Sequence, residues 1–497
     1  MEQTLSSGLI LTIIIAYFCF LILISFLTGR KADQAGFFIG NKNSAWIMVA
    51  IGMIGTSLSG VTFISLPGAV GNGGMNQSLS YMQMVFGYLI GYFIIASVLL
   101  PLYYRLNLTS IYTFLGNRFG REAHLTGSAY FLLSRTVGAA FRLFLVAGVL
   151  QAFVTGPMGI PFWLTVAATI VLIWIYTFSG GIKTIIVTDT IQTICMILAV
   201  ILTLYAIGNS MGIGITDIPE FVHNGQFGQM IFTDKLWSDG NNFWKQLISG
   251  ALIALAMTGL DQDMMQKNLS CRTLKDAQKN MLVFCVLLVF VNLIFLYMGA
   301  MLYEYAALEA IIVPERPDHL YPTIALNHLG PLVGVFFVLG LIAAAYSSAD
   351  SALTALTTAF CIDFLKFETS TKTAEEQKRT RLIVHVAFSL ILFIVILLFN
   401  ALPKDSSIIN QIFVAAGYTY GPLLGLFVFG LLFKELKPSA TAIIGICISA
   451  PILSYLLNES LKNTFSFGST ILAVNGVLTF ILLYAFSKIY SLKQPQQ

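Results

Sequence analysis

Charge is what this sequence lacks. Asp, Glu, Lys and Arg together make up 10% of its 497 residues, whereas hydrophobic residues make up 57%. A soluble domain carries about 25% charged residues, so these proportions exclude a water-soluble globular protein and leave no room for a large aqueous domain. Cysteine is scarce and unpaired in pattern. The six cysteines lie in or beside apolar runs with no CxxC spacing, which excludes a zinc site or a disulfide framework and makes them small core hydrophobes. The five histidines have no i, i+3 or i, i+4 partner to suggest a helix-borne metal site. No GxxxxGK[ST] loop occurs, which argues against an ATP-driven pump. The net charge of +4 is carried by basic residues scattered between hydrophobic runs, a pattern that does not fit a nucleic-acid partner.

What the sequence has is long apolar runs. A membrane-spanning helix needs about 20 apolar residues, and thirteen stretches qualify: 7–29, 45–69, 79–104, 124–154, 160–178, 184–207, 243–265, 280–305, 330–362, 381–402, 406–433, 438–457 and 468–488, numbered here as spans 0 to 12. Span 0 is kept as a span rather than a signal peptide, because Glu2 and no basic residue precede it and no small-x-small site ends it. Arg30 and Lys31 follow it directly. Most of the Lys and Arg, Lys267 among them, fall in loops on that same side, while Lys235, Lys245, Arg316, Lys404 and Lys462 fall on the other. The positive-inside rule therefore puts the N-terminus outside and the C-terminus in the cytoplasm.

Polar residues at membrane depth are expensive and mark cavities and ion paths. Span 1 is interrupted by Gly55-Thr56-Ser57-Leu58-Ser59-Gly60-Val61-Thr62, with Pro67 and Gly68 beyond. Such a run favours an unwound helix, whose freed carbonyls suit a sodium ion. Span 8 reads Ala343-Ala344-Ala345-Tyr346-Ser347-Ser348-Ala349-Asp350-Ser351, so Ser347, Ser351 and Thr354 share a face flanked by Ser348 and Asp350. Oxygen donors with a carboxylate suit a hard cation. Asp189 near the start of span 5 is either an interfacial residue or a cation ligand facing span 8. Arg135 and Arg142 in span 3 are seven residues apart on nearly one face. Arg142 lies too deep to snorkel, so it either neutralises a buried aspartate or receives an anionic group of a solute. Gln83 and Gln192 are single amides whose first reading is hydrogen bonding between helices. An embedded transferase would need a catalytic cluster, and Asp261-Gln262-Asp263 is not followed by metal-ligand spacing. An enzyme is therefore not expected, and neither is a sensor, since no signalling domain is appended.

Five separated motifs carry a resemblance: GTSLSGVTFISLPG in span 1, Gly180-Gly181 with Val187-Thr188-Asp189 at span 5, TGLDQDMMQKNLSCRTLKDAQK after span 6, AAAYSSADSALTALTT in span 8 and YGPLLGLFVFG in span 10. In this order they resemble the sodium:solute symporter family over about nine-tenths of the chain. The resemblance implies an all-α membrane protein of the leucine-transporter type, one transporter domain over 1–497, with an extra N-terminal helix at 7–29, inverted repeats at 45–207 and 243–433, and C-terminal helices at 438–490. It implies a sodium-driven symporter in the plasma (inner) membrane, acting as a monomer on a small organic solute, with Na+ as coupling ion, membrane lipid around it and no organic cofactor. A sugar or sialic acid leads among solutes, ahead of monocarboxylates, amino acids and other organic anions.

By the same resemblance, a main sodium site takes carbonyls of Gly55, Leu58 and Ala344 and hydroxyls of Ser347 and Ser348. A second would use Asp189, Ser347 and Ser351, with Asp350 standing where the sialic acid transporters have a hydroxyl. That added charge can strengthen a second sodium site, admit a proton or pair with a span 3 arginine. Ser57, Ser59, Thr62 and Gln83 match solute-binding positions. The family's span 3 arginine aligns with Gly138, which leaves Arg142, one turn on, to receive an anion.

Overall fold

The computed structural model describes residues 6–29, 42–71, 73–177, 181–401 and 408–493. Arg30, Lys31, Gly180 and Lys404 lie outside them. The architecture is all-helical: α1 (Ser7–Gly29), α2 (Trp46–Ser57), α3 (Gly60–Ala69), α4 (Tyr81–Arg105), α5 (Arg121–Thr155), α6 (Phe162–Thr177), α7 (Gly181–Met211), α8 (Phe243–Gly259), α9 (Gln262–Leu269), α10 (Leu274–Leu308), α11 (Gly330–Phe364), α12 (Ala374–Asn400), α13 (Ile408–Leu432), α14 (Ala440–Leu461) and α15 (Ile471–Lys493). Among the described residues ten helices are long and apolar enough to cross a bilayer, and two bent pairs bring the number to twelve. The stretch 160–178 becomes α6, whose described residues end at Thr177.

Both bent pairs have a local cause. α2 ends where Leu58 and Ser59 leave helical geometry (ψ 10° and 172°), so α3 departs at 55°. Gly60 sits against α5, where an added Cβ would stand 2.4 Å from Val146 Cγ2; only glycine lets the bend lie that close. α8 ends in a wide turn at Leu255–Gly259, and Asp261 adopts extended geometry before α9 leaves at 65°. The Asp261 carboxylate accepts the amides of Asp263 (2.9 Å) and Met264 (3.4 Å), a side-chain cap of the kind helix starts favour.

α7 and α11 pack against each other and against α2, with α5, α9 and α10 completing the surround. The polar stretch of α11 from Ser347 to Thr358 is buried throughout, so none of its hydroxyls faces lipid. α4 and α8 meet backbone to backbone. A Cβ at Gly87 would lie 2.2 Å from the Leu247 carbonyl, and one at Gly250 would lie 2.0 Å from that of Met84.

Candidate functional site

The break between α2 and α3 opens onto a cavity of about 100 Å3. Ser57, Ser59 and Thr62 line it from the broken helix, Tyr81 and Tyr88 from α4, and Arg142 from α5. Among the described residues two arginines, Arg135 and Arg142, reach its wall, and no Asp or Glu does. The two differ in what they are bound to. Arg135 Nη2 is paired with Asp263 Oδ2, and its Nη1 lies 4.0 Å from Asp261 Oδ2. Its charge is thus matched by the acids at the second break. Arg142 forms no ion pair among the described residues and donates from Nη1 to Ser348 Oγ at 3.0 Å. Neither arginine turns to Asp350, which is fully buried and accepts the Ser351 amide.

α2 and α11 bring together two of the oxygens expected for sodium, those of Gly55 and Ser347. Ser347 Oγ donates to the Gly55 carbonyl at 2.8 Å, so the first break and the hydroxyl run of α11 are in direct contact. Ser348 lies one residue on, linked to Arg142. Leu58 is the residue at which α2 ends, and Ala344 stands one turn before Ser348 on α11. These donors are neutral oxygens on two elements, which is chemistry suited to a monovalent hard cation.

Of the expected second cluster, Asp189 and Ser351 come together, with an addition that sequence reasoning missed. Asp189 Oδ2 accepts from Ser351 Oγ at 3.3 Å and from Thr56 Oγ1 at 3.1 Å. The Lys267 ammonium occupies the middle of this group, donating to Asp189 Oδ2 at 2.6 Å, to Ser351 Oγ at 2.8 Å and to Thr56 Oγ1. Its side chain is wholly buried. The orientation count had placed Lys267 in a cytoplasmic loop; it belongs instead to α9, every residue of which is buried. The sequence conceals this because QDMMQKNL has the polarity of a loop, and only its position just after a break hints that its polar groups face inward.

Gln83 is not brought to the cavity. Its Nε2 donates to the carbonyls of Asn241 (2.7 Å) and Ser80 (3.2 Å), and its Oε1 accepts the Phe232 amide at 2.9 Å. The amide is spent anchoring the 208–242 loop to α4. The cavity's aromatic wall was not foreseen either; Tyr81 and Tyr88, whose hydroxyls lie 2.9 Å apart, occupy ground assigned to Gln83.

Comparison with known proteins adds an independent line. Residues 37–448 match the sodium:solute symporter family. Among similar proteins are the sodium/sialic acid symporter NanT of Aliivibrio fischeri, 24% identical over 91% of this chain and 89% of the relative, and the human sodium/iodide cotransporter, 24% identical over 81% of this chain and 62% of the relative. The mouse sodium-coupled monocarboxylate transporter 2 is 23% identical over 81% of this chain and 64% of its own length. Of solved structures, a Na+-coupled sialic acid symporter in a substrate-bound outward-open state superposes with TM-score 0.82 at 20% identity, covering 99% of this chain and all of that one. A nucleobase-cation-symport-1 family transporter in a closed conformation gives 0.52 at 12% identity, over 92% and 94%.

Proposed function

Because the chain belongs to the sodium:solute symporter family, we propose that it is a sodium-driven secondary symporter that imports a small organic anion by alternating access, and that an acidic sugar of the sialic acid kind is its solute. The observation that carries the anionic reading is the cavity wall, which among the described residues has two arginines, no carboxylate, and an Arg142 without an ion-pair partner. Ser57, Ser59 and Thr62 supply hydroxyls for a sugar, and the tyrosines of α4 supply a flat apolar face. The volume of about 100 Å3 is below the 300–1,000 Å3 common for drug-sized ligands, and this specifically favours a second reading, a short monocarboxylate.

Sodium would bind through Gly55, Leu58 and Ala344 carbonyls and the Ser347 and Ser348 hydroxyls. Arg142 gives a physical reason for coupling. An anionic solute that draws the guanidinium away from Ser348 Oγ frees that oxygen for sodium and removes a competing positive charge. Each sodium entering down about 100 mV contributes about 2.3 kcal/mol, roughly fifty-fold in accumulation. We further assign 45–207 and 243–433 as the two repeats, an outer N-terminus, a cytoplasmic C-terminus and a monomeric unit in the plasma membrane.

Proteoliposome uptake of sialic acid, neutral sugars and short monocarboxylates, with sodium against potassium or choline, tests the reading. Uptake of an acidic solute only with sodium, abolished by Arg142→Ala, is the expected outcome. Uptake indifferent to sodium would refute symport; equal uptake by the Arg142→Ala protein would refute the anion site.

A further inference from the structure

The second group of cation ligands already holds a cation, the Lys267 ammonium on Asp189 Oδ2. An ammonium has three donors and no acceptor. All three of Lys267's are directed at oxygens of this group: Asp189 Oδ2, Ser351 Oγ and Thr56 Oγ1. Asp189 and Ser351 are two of the residues expected to hold a second sodium, with Ser347 and Asp350, and all four are buried with Lys267 away from water. Among the described residues the ammonium has one ion-pair partner, Asp189. A sodium ion added at Asp189 Oδ2 would share that one carboxylate oxygen with the ammonium in a low-dielectric interior, where like charges repel far more strongly than in water. Sodium and the ammonium therefore compete for the same oxygens.

We propose that Lys267 is the resident cation of this subsite, so that the chain couples transport to one sodium ion, bound at Gly55 and Ser347–Ser348, and has a tethered charge where a second would sit. The inference rests on the symport reading above and adds its stoichiometry. It also gives Lys267 a connecting role that an exchangeable ion lacks. The side chain belongs to α9, just past the second break, and its three acceptors lie on α2, α7 and α11. A sodium ion in this position leaves with each cycle, whereas Lys267 leaves its acceptors only if α9 moves.

Equilibrium binding of radioactive sodium to the purified full-length chain tests this with sodium alone as the probe. One ion per chain with a hyperbolic isotherm is expected. Lys267→Met removes the charge and leaves Asp189 needing a counter-ion; it should bind two ions with a sigmoidal isotherm, and its unfolding temperature should rise with sodium more than that of the unaltered chain. The double variant Lys267→Met, Asp189→Asn, which removes both charges together, should return to one ion. Two ions on the unaltered chain would overturn the inference while leaving symport intact, as would a Lys267→Met protein that still binds one. If that variant fails to fold, the counts for the unaltered chain and the neutral double variant decide. No sodium on any of the chains would be a different failure, that of the symport reading itself.

Discussion

The two broken helices are built alike and finished differently. Each bends by more than 50° near the middle of the protein, and each bend frees backbone carbonyls. At the second break those carbonyls are taken: Tyr103 Oη donates to Gly259 O and Tyr112 Oη to Leu260 O, both at 2.9 Å, and Asp261 caps the helix that follows. Asp261 is itself held by Tyr420 Oη at 2.6 Å. At the first break the Gly55 carbonyl accepts from Ser347 Oγ, a hydroxyl that can turn to an ion as readily as to a carbonyl. Buried carbonyls must be satisfied, and the two breaks solve that requirement with fixed tyrosines in one case and exchangeable donors in the other. The first is equipped to bind; the second is equipped to hold its shape.

Substitutions can break this contrast. The largest effect belongs to Asp261→Ala, which removes a helix cap, strands the Tyr420 hydroxyl and weakens the surroundings of Arg135. Losing one member of a buried charged network costs about 3–5 kcal/mol, so a steep fall in unfolding temperature and in folded yield is expected. Tyr112→Phe leaves the Leu260 carbonyl without its donor. It should lower stability by about 1–3 kcal/mol in chemical or thermal unfolding, with the sodium half-saturation of uptake unchanged. Ser348→Ala at the first break should do the reverse: about a tenfold higher sodium half-saturation, or roughly 1.4 kcal/mol, with little change in unfolding temperature. If the tyrosine variant shifts sodium affinity and the serine variant shifts only stability, the contrast is reversed.

The smallest effect is a control outside both breaks. At the start of α12 Thr373 and Glu376 form a reciprocal cap. Hydrogen bonds from Thr373 to the Glu376 carboxylate hold that carboxyl below its usual range. The cap is therefore complete above the ordinary carboxylate range and is lost as pH falls through the lowered value. Thr373→Ala should remove that acid dependence of local amide exchange and leave sodium and solute half-saturation where they were.

The first break was legible in the sequence because its cause is local: Ser57, Ser59, Gly60 and Pro67 all act on their own stretch of backbone. The hydroxyl run of α11 and the buried Asp189 were legible for a related reason, since polar groups in apolar runs declare themselves. What could not be read was who meets whom across the bundle. Asp189 and Lys267 are 78 positions apart, and nothing in either stretch names the other. Arg135 and Arg142 look equivalent along the chain, yet the acids after the second break claim only Arg135. Gln83 was misplaced because an amide near a helix start serves a loop as well as a ligand, and only the fold of residues 208–242 decides between them. The polarity of α9 suggested water, while its burial depends on the 65° turn that swings it inward.

The glycine contact between α4 and α8 bears on how such a protein moves. With Gly87 against the Leu247 carbonyl and Gly250 against that of Met84, no side chains lie between the two backbones to serve as a bearing surface. A slip along the axis would drive a carbonyl into a Cα. The pair is therefore held in register, α4 and α8 packing as one unit. Tyr81 and Tyr88 stand on α4, so the aromatic wall of the cavity is backed by α8, a helix far along the chain from the serines that line the same cavity.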